Sequence, residues 1–271
     1  YPIPARLRES VELELQKLAR QGVIQVIRED DIGPNAIISP GFAKDKGRPG
    51  PNGCPAVRLL CDFSALNAVI SSDLSAHWTR STDDLQDNIH TIPSGSQWFF
   101  KADISNAYFT IPLDTEVVPL TTCRFGDIYI QWLRLPQGLN LSALYFPFAL
   151  KLQLDHLYPI KGFWRRMFSV YLDDVVGHGK TKNQAEGRCR ILLSALRAID
   201  KPVSDKEPTV VCQSLDCLGL TLSDKGWSLS EANVKKLQSA LATKPKSNKQ
   251  LRSLVGVYNY GVTAFSFSEA N

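Results

Sequence analysis

The chain has 271 residues, 44% of them hydrophobic, with 31 basic and 27 acidic side chains and a formal net charge of +4. That length can bury a substantial core and suits more than one lobe, and the mild basic excess permits a polyanionic partner without demanding one. No apolar run is long enough to span a bilayer, and the six cysteines show no paired C-x-x-C spacing and no clustering with the four histidines, which argues against a zinc site and for free thiols in a reducing compartment.

Leu7, Val11, Leu15 and Leu18 recur at helical spacing and Gly22 follows as a stop, so a helix is predicted first. The Gly/Pro-rich stretch from Gly47 to Pro55, with Lys44, Lys46 and Arg48 beside it, predicts a flexible basic loop at the tip of a hairpin. Val57 to Cys61 reads as its returning strand. Trp98 to Ile104 is a buried strand with Asp103 at its end. Thr121 to Phe125 and Ile128 to Trp132 form a hairpin about Gly126-Asp127. Ser142 to His156 is an apolar helix in which Pro147 marks a kink or the start. Gln184 to Ala198 is a further helix, followed by short strands near Thr209–Val211 and Leu218–Leu222. Ser230 to Ala242 and Lys249 to Tyr258 are the last helices, separated by Lys244-Pro245-Lys246. Lys235, Lys236, Lys244, Lys246, Lys249 and Arg252 cluster there, either as a solvated helical face or as a surface for phosphate backbones. The only methionine is Met167, so the chain reads as a piece of something longer.

Asp-Asp occurs three times. Asp30-Asp31 and Asp83-Asp84 have polar neighbours and read as solvated turns or helix starts. Asp173-Asp174 differs, because Met167 to Val170 precede it and Val175-Val176 follow, which fits a strand, a tight acidic turn and a second strand. Adjacent carboxylates raise each other's pKa unless a cation neutralises them, and an all-oxygen site suits Mg²⁺. If the strand ending at Asp103 pairs with this hairpin, three carboxylates meet at one sheet edge. Such an edge can hold two divalent ions about 3.5–4 Å apart, the arrangement of nucleotidyl transfer.

Arg58 to Asn67, Asp103 to Phe109, Arg134 to Gly138 and Tyr171 to Asp174 follow one another in an order that resembles the reverse transcriptases of retroviruses and gypsy-type LTR retroelements. The resemblance rests on Arg58 to Asn67 (RLLCDFSALN) as the fingers motif and Asp103 to Phe109 (DISNAYF) as the first catalytic motif. Arg134 to Gly138 (RLPQG) matches the nucleotide- and template-contacting segment, and Tyr171 to Asp174 (YLDD) the signature turn. Cys217-Leu218-Gly219-Leu220 resembles the primer grip, and Leu251 to Glu269 the end of the thumb and start of the next segment.

The resemblance implies a role for each position. Asp103, Asp173 and Asp174 hold two Mg²⁺ ions, with Mn²⁺ as a substitute and the Ile104 carbonyl as an extra oxygen ligand. Tyr108 lies under the sugar of the incoming nucleotide and excludes a 2′-hydroxyl. Arg58 grips the triphosphate, joined by Lys44 or Lys46 from the fingertip loop. Gln137 contacts the nucleotide sugar and template, and Gly138 allows close backbone approach. Lys206 stands where the family has a lysine that protonates the leaving pyrophosphate. Asp62, Asn67, Gly138, Tyr171, Leu218 and Gly219 fall at template- or primer-contacting positions. Three positions depart from the family pattern: Asn106 replaces an acid, Ser64 an arginine that helps hold template, and Ala143 a proline. None removes a metal ligand.

The fold class implied is α/β (α+β), a right-hand polymerase with an antiparallel palm sheet backed by helices. Fingers fall at residues 1–78 and 112–141, palm at 79–111 and 142–226, and thumb at 227–271. The implied function is RNA- and DNA-templated DNA synthesis from dNTPs on a primed RNA or DNA template. Implied partners also include a second copy of the chain or other polyprotein domains, with no membrane. The setting is intracellular, cytoplasmic or within a virus-like particle, not secreted. Two alternatives stay open. One is an inactive nucleic-acid-binding scaffold descended from such an enzyme. The other is an RNA-dependent RNA polymerase, which usually carries Gly where Leu172 stands and a small polar group where Tyr108 stands.

Overall fold

The computed structural model describes residues 2–34, 36–70, 92–205, 209–242, 245 and 247–265. The chain divides into two compact units, Tyr1–Thr82 with Asn106–Ala149, and Asp83–Ser105 with Leu150–Asn271.

The first unit opens with α1 (Arg8–Arg20), whose Val11, Leu15 and Leu18 are buried as their spacing predicts. Its sheet runs β1 (Ile24–Ile27), β6 (Ile128–Trp132), β5 (Cys123–Phe125), β2 (Ser39–Pro49) and β3 (Pro55–Cys61) in spatial order. All pairings are antiparallel except β2 with β5. The core joins the α1 stripe to Val57, Leu59, Phe63, Phe125, Ile130 and Trp132. Each such side chain contributes roughly 1.5–3 kcal/mol of burial. The expected loop from Gly47 is shorter than its composition suggests. Strand β2 continues to Pro49, and the extra residues form a bulge between Asp45↔Val57 and Pro49↔Pro55. Asp45 Oδ1 accepts from the Gly47 amide at 2.8 Å, and Gly47 has φ 66°. A side-chain turn at the bulge thus keeps the ribbon paired where Gly and Pro suggested a break.

After β3, a short helix α2 (Ser64–Val69) follows, and α3 (Ser142–Leu157) begins at Ser142 with Pro147 inside it. In the helix interior, the missing Pro147 amide forfeits one ladder bond.

In the second unit, β4 (Trp98–Asp103), β8 (Asp174–Gly179) and β7 (Phe168–Tyr171) form an antiparallel sheet with β8 in the middle. Phe100, Ala102 and Val175 are buried on this sheet. Helix α4 (Lys182–Ala198) packs against β8 and β4 through its buried Ala185, Cys189, Leu192, Ala195 and Leu196. Its N-terminus is fixed by a reciprocal pair: Thr181 accepts from the Gln184 amide, and Gln184 accepts from the Lys180 amide. A second sheet holds β9 (Leu215–Cys217), β10 (Leu220–Ser223) and β11 (Gly226–Leu229). The strand expected near Thr209–Val211 is only an isolated bridge from Cys212 to Phe99. The strand expected from Leu218 starts at Leu220, because Leu218 and Gly219 form the β9–β10 turn. Helices α5 (Glu231–Ala242) and α6 (Asn248–Phe265) close the chain. Among the described residues, no helix is long and apolar enough to cross a membrane.

Candidate active site

Strand β4 and the β7–β8 hairpin place the acidic residues in register. Asp103 is the cross-strand partner of Asp174, and Lys101 of Val176. Tyr171 pairs with Asp174, which leaves Leu172 and Asp173 as a two-residue turn. Leu172 takes φ 51°, the left-handed conformation of a tight hairpin turn, unusual for a branched side chain and costing about 1–3 kcal/mol. The Ile104 amide donates to the Asp173 carbonyl at 3.3 Å, so the end of β4 touches the turn directly. On the other edge of β4, Ser204 donates to the Asp103 carbonyl at 2.9 Å and Ser105 to the Pro202 carbonyl at 2.8 Å. The strand end is thereby anchored from both sides.

Asp103, Asp173 and Asp174 are each half-buried. Burial raises the Asp174 carboxyl above its usual value; the Lys101 charge opposes this, while the Asp173 and Asp103 charges add to it. Lys101 Nζ stands 3.4 Å from Asp174 Oδ1. Among the described residues no group of three or more His, Cys, Asp or Glu side chains is gathered tightly enough to grip an ion. The donor set is nonetheless all oxygen and mutually repulsive at Asp174, which suits a hard divalent cation.

The β9–β10 turn lies in this same unit. Leu218 (φ 53°) and Gly219 (φ 75°) are both left-handed, the pattern of a tight two-residue hairpin. The Gly219 carbonyl accepts from the Ser230 amide and from Asn233 Nδ2, each at 3.0 Å. Asn233 at the start of α5 is therefore a buttress that no sequence motif indicated. Cys217, which precedes the turn, is buried beside Asp174; burial, then that charge, pushes its thiol up to about 12.

The first unit carries the other expected residues. Arg58 on β3 is the direct cross-strand partner of Lys44 on β2. Two like charges placed opposite each other destabilise a ribbon unless an anion joins them. The nearby acid Asp45 is engaged by Arg6 at 3.1 Å. Lys46 has its pKa lowered, first by burial, and feels Glu14, Lys17, Arg48 and Arg58. Tyr108 follows Asn106, whose φ of 50° is one that Asn tolerates, and lies in the 3₁₀ turn Ala107–Thr110. Its ring meets the buried Phe146 edge-on, with centroids 5.8 Å apart.

Asn67, expected at a template contact, spends both ends of its amide on backbone. Its Nδ2 donates to the Gly138 carbonyl at 3.1 Å, and its Oδ1 accepts from the Asn140 amide at 2.9 Å. Ser142 Oγ donates to the Pro136 carbonyl at 2.6 Å, so the loop bearing Gln137 is held at three points. Gly138 has φ 94°, and a Cβ there would sit 3.0 Å from the Cys61 carbonyl. The close approach expected of Gly138 is thus made to the end of β3. Asp62 Oδ1 accepts from the amide and hydroxyl of Ser64, so Ser64 secures the start of α2. Lys206, Asp83, Asp84, Lys244 and Lys246 lie outside the described residues.

Residues 44–222 match the family "Reverse transcriptase (RNA-dependent DNA polymerase)". The chain belongs to the reverse transcriptase family. That span contains the Arg58, Asp103, Gln137 and Asp173 motifs in order. Among its relatives is a retrovirus-related Pol polyprotein from the transposon opus of Drosophila melanogaster, 22% identical over 96% of this chain and 24% of that protein. The Gag-Pol polyprotein of walleye dermal sarcoma virus is 24% identical over 96% of the chain and 14% of that protein. The chain therefore spans about a quarter or less of these polyproteins. The foamy viral protease–reverse transcriptase in complex with double-stranded DNA has the same fold, with TM-score 0.71 at 21% identity over 96% of this chain and 41% of that one. The foamy viral enzyme in complex with an RNA/DNA hybrid gives TM-score 0.70 over 96% and 31%. As a member of the reverse transcriptase family, the chain has the mixed helix-and-sheet architecture that its motifs implied.

Proposed function

We propose that this chain catalyses templated DNA synthesis, transferring a deoxynucleoside monophosphate to a primer 3′-hydroxyl with release of pyrophosphate. The observation that carries the reading is the register of Asp103 with Asp174, with Asp173 on the adjoining turn. Asp103, Asp173 and Asp174, with the Ile104 carbonyl, would hold the divalent ions, Mg²⁺ or Mn²⁺; bound there, the metal supplies activation of the 3′-hydroxyl and neutralisation of the leaving phosphates. Arg58 and Lys44 present paired positive charge for a triphosphate, with Lys46 as a neighbouring cation. Tyr108 stacks under the deoxyribose and clashes with a 2′-hydroxyl. Gln137 meets the nucleotide from a loop that Asn67 and Ser142 hold in place. Leu218 and Gly219 support the primer strand from their buttressed turn, Asp62 and Tyr171 lie along the template–primer, and Lys206 donates a proton to pyrophosphate.

The reading takes fingers at 1–78 and 112–141 and palm at 79–111 and 142–226; the two compact units break at neighbouring bounds, with 106–149 in the first and 150–271 in the second. The thumb in this reading is 227–271, whose first residues, Trp227 among them, still pair with β10 before the helix from Glu231. The relatives' complexes with double-stranded DNA and an RNA/DNA hybrid support a primed template as partner. Association with further polyprotein domains or a second copy belongs to the same reading.

Primer extension tests it. The chain should extend a DNA primer on RNA and DNA templates with dNTPs and Mg²⁺, and Asp103→Asn should abolish extension without lowering the urea unfolding midpoint. A folded chain that binds template–primer but incorporates nothing would instead assign it the scaffold role.

A further inference from the structure

Lys101 is a cation inside the acidic site that no motif accounts for. It lies two residues before Asp103 on β4, so both side chains project from the same face. Because Asp103 pairs with Asp174 and Lys101 with Val176, Lys101 is the diagonal neighbour of Asp174, a span that a long side chain can cross. It does so, ending 3.4 Å from Asp174 Oδ1 with only 22% and 19% of the two side chains exposed. Phe99, Val176, Cys217 and Leu222 form a buried apolar cluster on this part of the sheet. Val176, the cross-strand partner of Lys101, and Phe99, two residues before it on β4, both belong to that cluster and share the face of Lys101. An ammonium group over an apolar floor, facing one acid of three, is more than a solvated lysine.

Building on the carboxylates as the metal-holding group, we propose that Lys101 is a resident counter-ion which claims Asp174 in the ligand-free protein and must release it when a divalent cation binds. The site then carries a net charge nearer −2 than −3. Asp103 and Asp173 provide the first grip on the ion, and Asp174 joins as Lys101 withdraws. Lys101 weakens divalent affinity and, in return, keeps three half-buried acids compatible with a folded sheet edge.

The test is a titration of Mn²⁺ alone against the full chain without nucleic acid, following free Mn²⁺ by electron paramagnetic resonance. Lys101→Met should bind Mn²⁺ about five- to tenfold more tightly than wild type, the factor that one partly shielded ion pair represents. Its melting midpoint in EDTA should fall, and excess Mg²⁺ should raise that midpoint more than in wild type. Lys101→Gln supplies a second neutral variant should the methionine fold poorly, and Lys101→Arg should keep wild-type affinity. In an Asp174→Asn background, Lys101→Met should leave Mn²⁺ affinity nearly unchanged. If wild type binds Mn²⁺ in an Asp103-dependent way but both neutral variants bind equally or more weakly, Lys101 is no competitor and the proposal is overturned. Mn²⁺ binding indifferent to Asp103→Asn would overturn the metal-site reading itself.

Discussion

Replacing Asn67 with Ala separates a residue that positions a loop from one that touches template. The substitution removes the bonds to the Gly138 carbonyl and the Asn140 amide, at 3.1 and 2.9 Å. Each contributes about 0.5–1.5 kcal/mol net, and the lower half of that range applies because water can reach the vacated groups. The loop keeps Ser142 on the Pro136 carbonyl and the close contact of Gly138 with the end of β3. Global stability should therefore fall by only about 1–2 kcal/mol. If Gln137 meets the nucleotide as proposed, the larger effect should appear there. A loss of about 1–2 kcal/mol of preorganisation corresponds to a roughly 5–30-fold fall in kcat/KM for dNTP, mostly as a rise in KM. Asn67→Asp retains the acceptor for Asn140 but sets a carboxylate against the Gly138 carbonyl, so it should be at least as damaging. Steady-state primer extension at varied dNTP, alongside template–primer binding by fluorescence anisotropy, reads both quantities. If Asn67→Ala weakens template–primer binding severalfold while KM for dNTP stays fixed, the side chain acts on template and the clamp argument is wrong.

Gly138→Ala forces a side chain into a left-handed conformation with its Cβ 3.0 Å from the Cys61 carbonyl, so a loss of about 1–3 kcal/mol in urea unfolding is expected; an unchanged midpoint would mean that the loop shifts freely. Tyr108→Val should reduce discrimination against rNTPs by about one to two orders of magnitude, measured as the ratio of kcat/KM values, and an unchanged ratio would remove the sugar-gate role. His178 is buried beside Arg188, and burial first, then the Arg188 charge, lowers its pKa from 6.5 to about 4. The unfolded chain takes up this proton as pH falls through 6.5, whereas the folded chain resists until about 4, so the stability tied to His178 is present above 6.5 and lost between those values. Urea midpoints at pH 7 and pH 5 should therefore differ more for wild type than for His178→Asn, and equal differences would refute the assignment.

The parts of the fold that were legible in sequence are those where periodicity and turn chemistry agree. The stripe of Leu7, Val11, Leu15 and Leu18 and the Gly126-Asp127 hairpin emerge at the expected places. Elements that evaded the reading were short or carried conflicting local signals. Strand β1 has only four residues, and β11 only four, beginning at Gly226. Each exists because a neighbour supplies its ladder: β6 for β1, and β10 for β11. Tertiary pairing also overrode composition at the fingertip, where the Asp45 side chain and a bulge extend β2 through Gly47 to Pro49. Conversely, Leu218 looked like strand because it is apolar, yet the Cys217↔Leu220 register leaves it in a turn.

At the candidate site, residue type revealed the acids but not what opposes them. Asp103 and the Asp173-Asp174 pair are separated by 69 intervening residues, and only the β4–β8 register shows which acids face each other. That same register brings Lys101 to Asp174, a consequence no spacing rule along one strand could reveal. The pattern is general to this unit: chemistry resides on the single-residue letters, while its electrostatic setting is imposed across strands. Asn67 makes the same point for the loop at Gln137. Its amide has a donor and an acceptor, as a peptide group does, so it can serve as a neighbouring strand for two backbone groups that would otherwise face water. On the proposed reading, a motif position need not touch the ligand to be required by it. If Gln137 meets the nucleotide as proposed, the side chain that holds its loop matters as much as Gln137 itself, since a small displacement of the loop carries through to that contact.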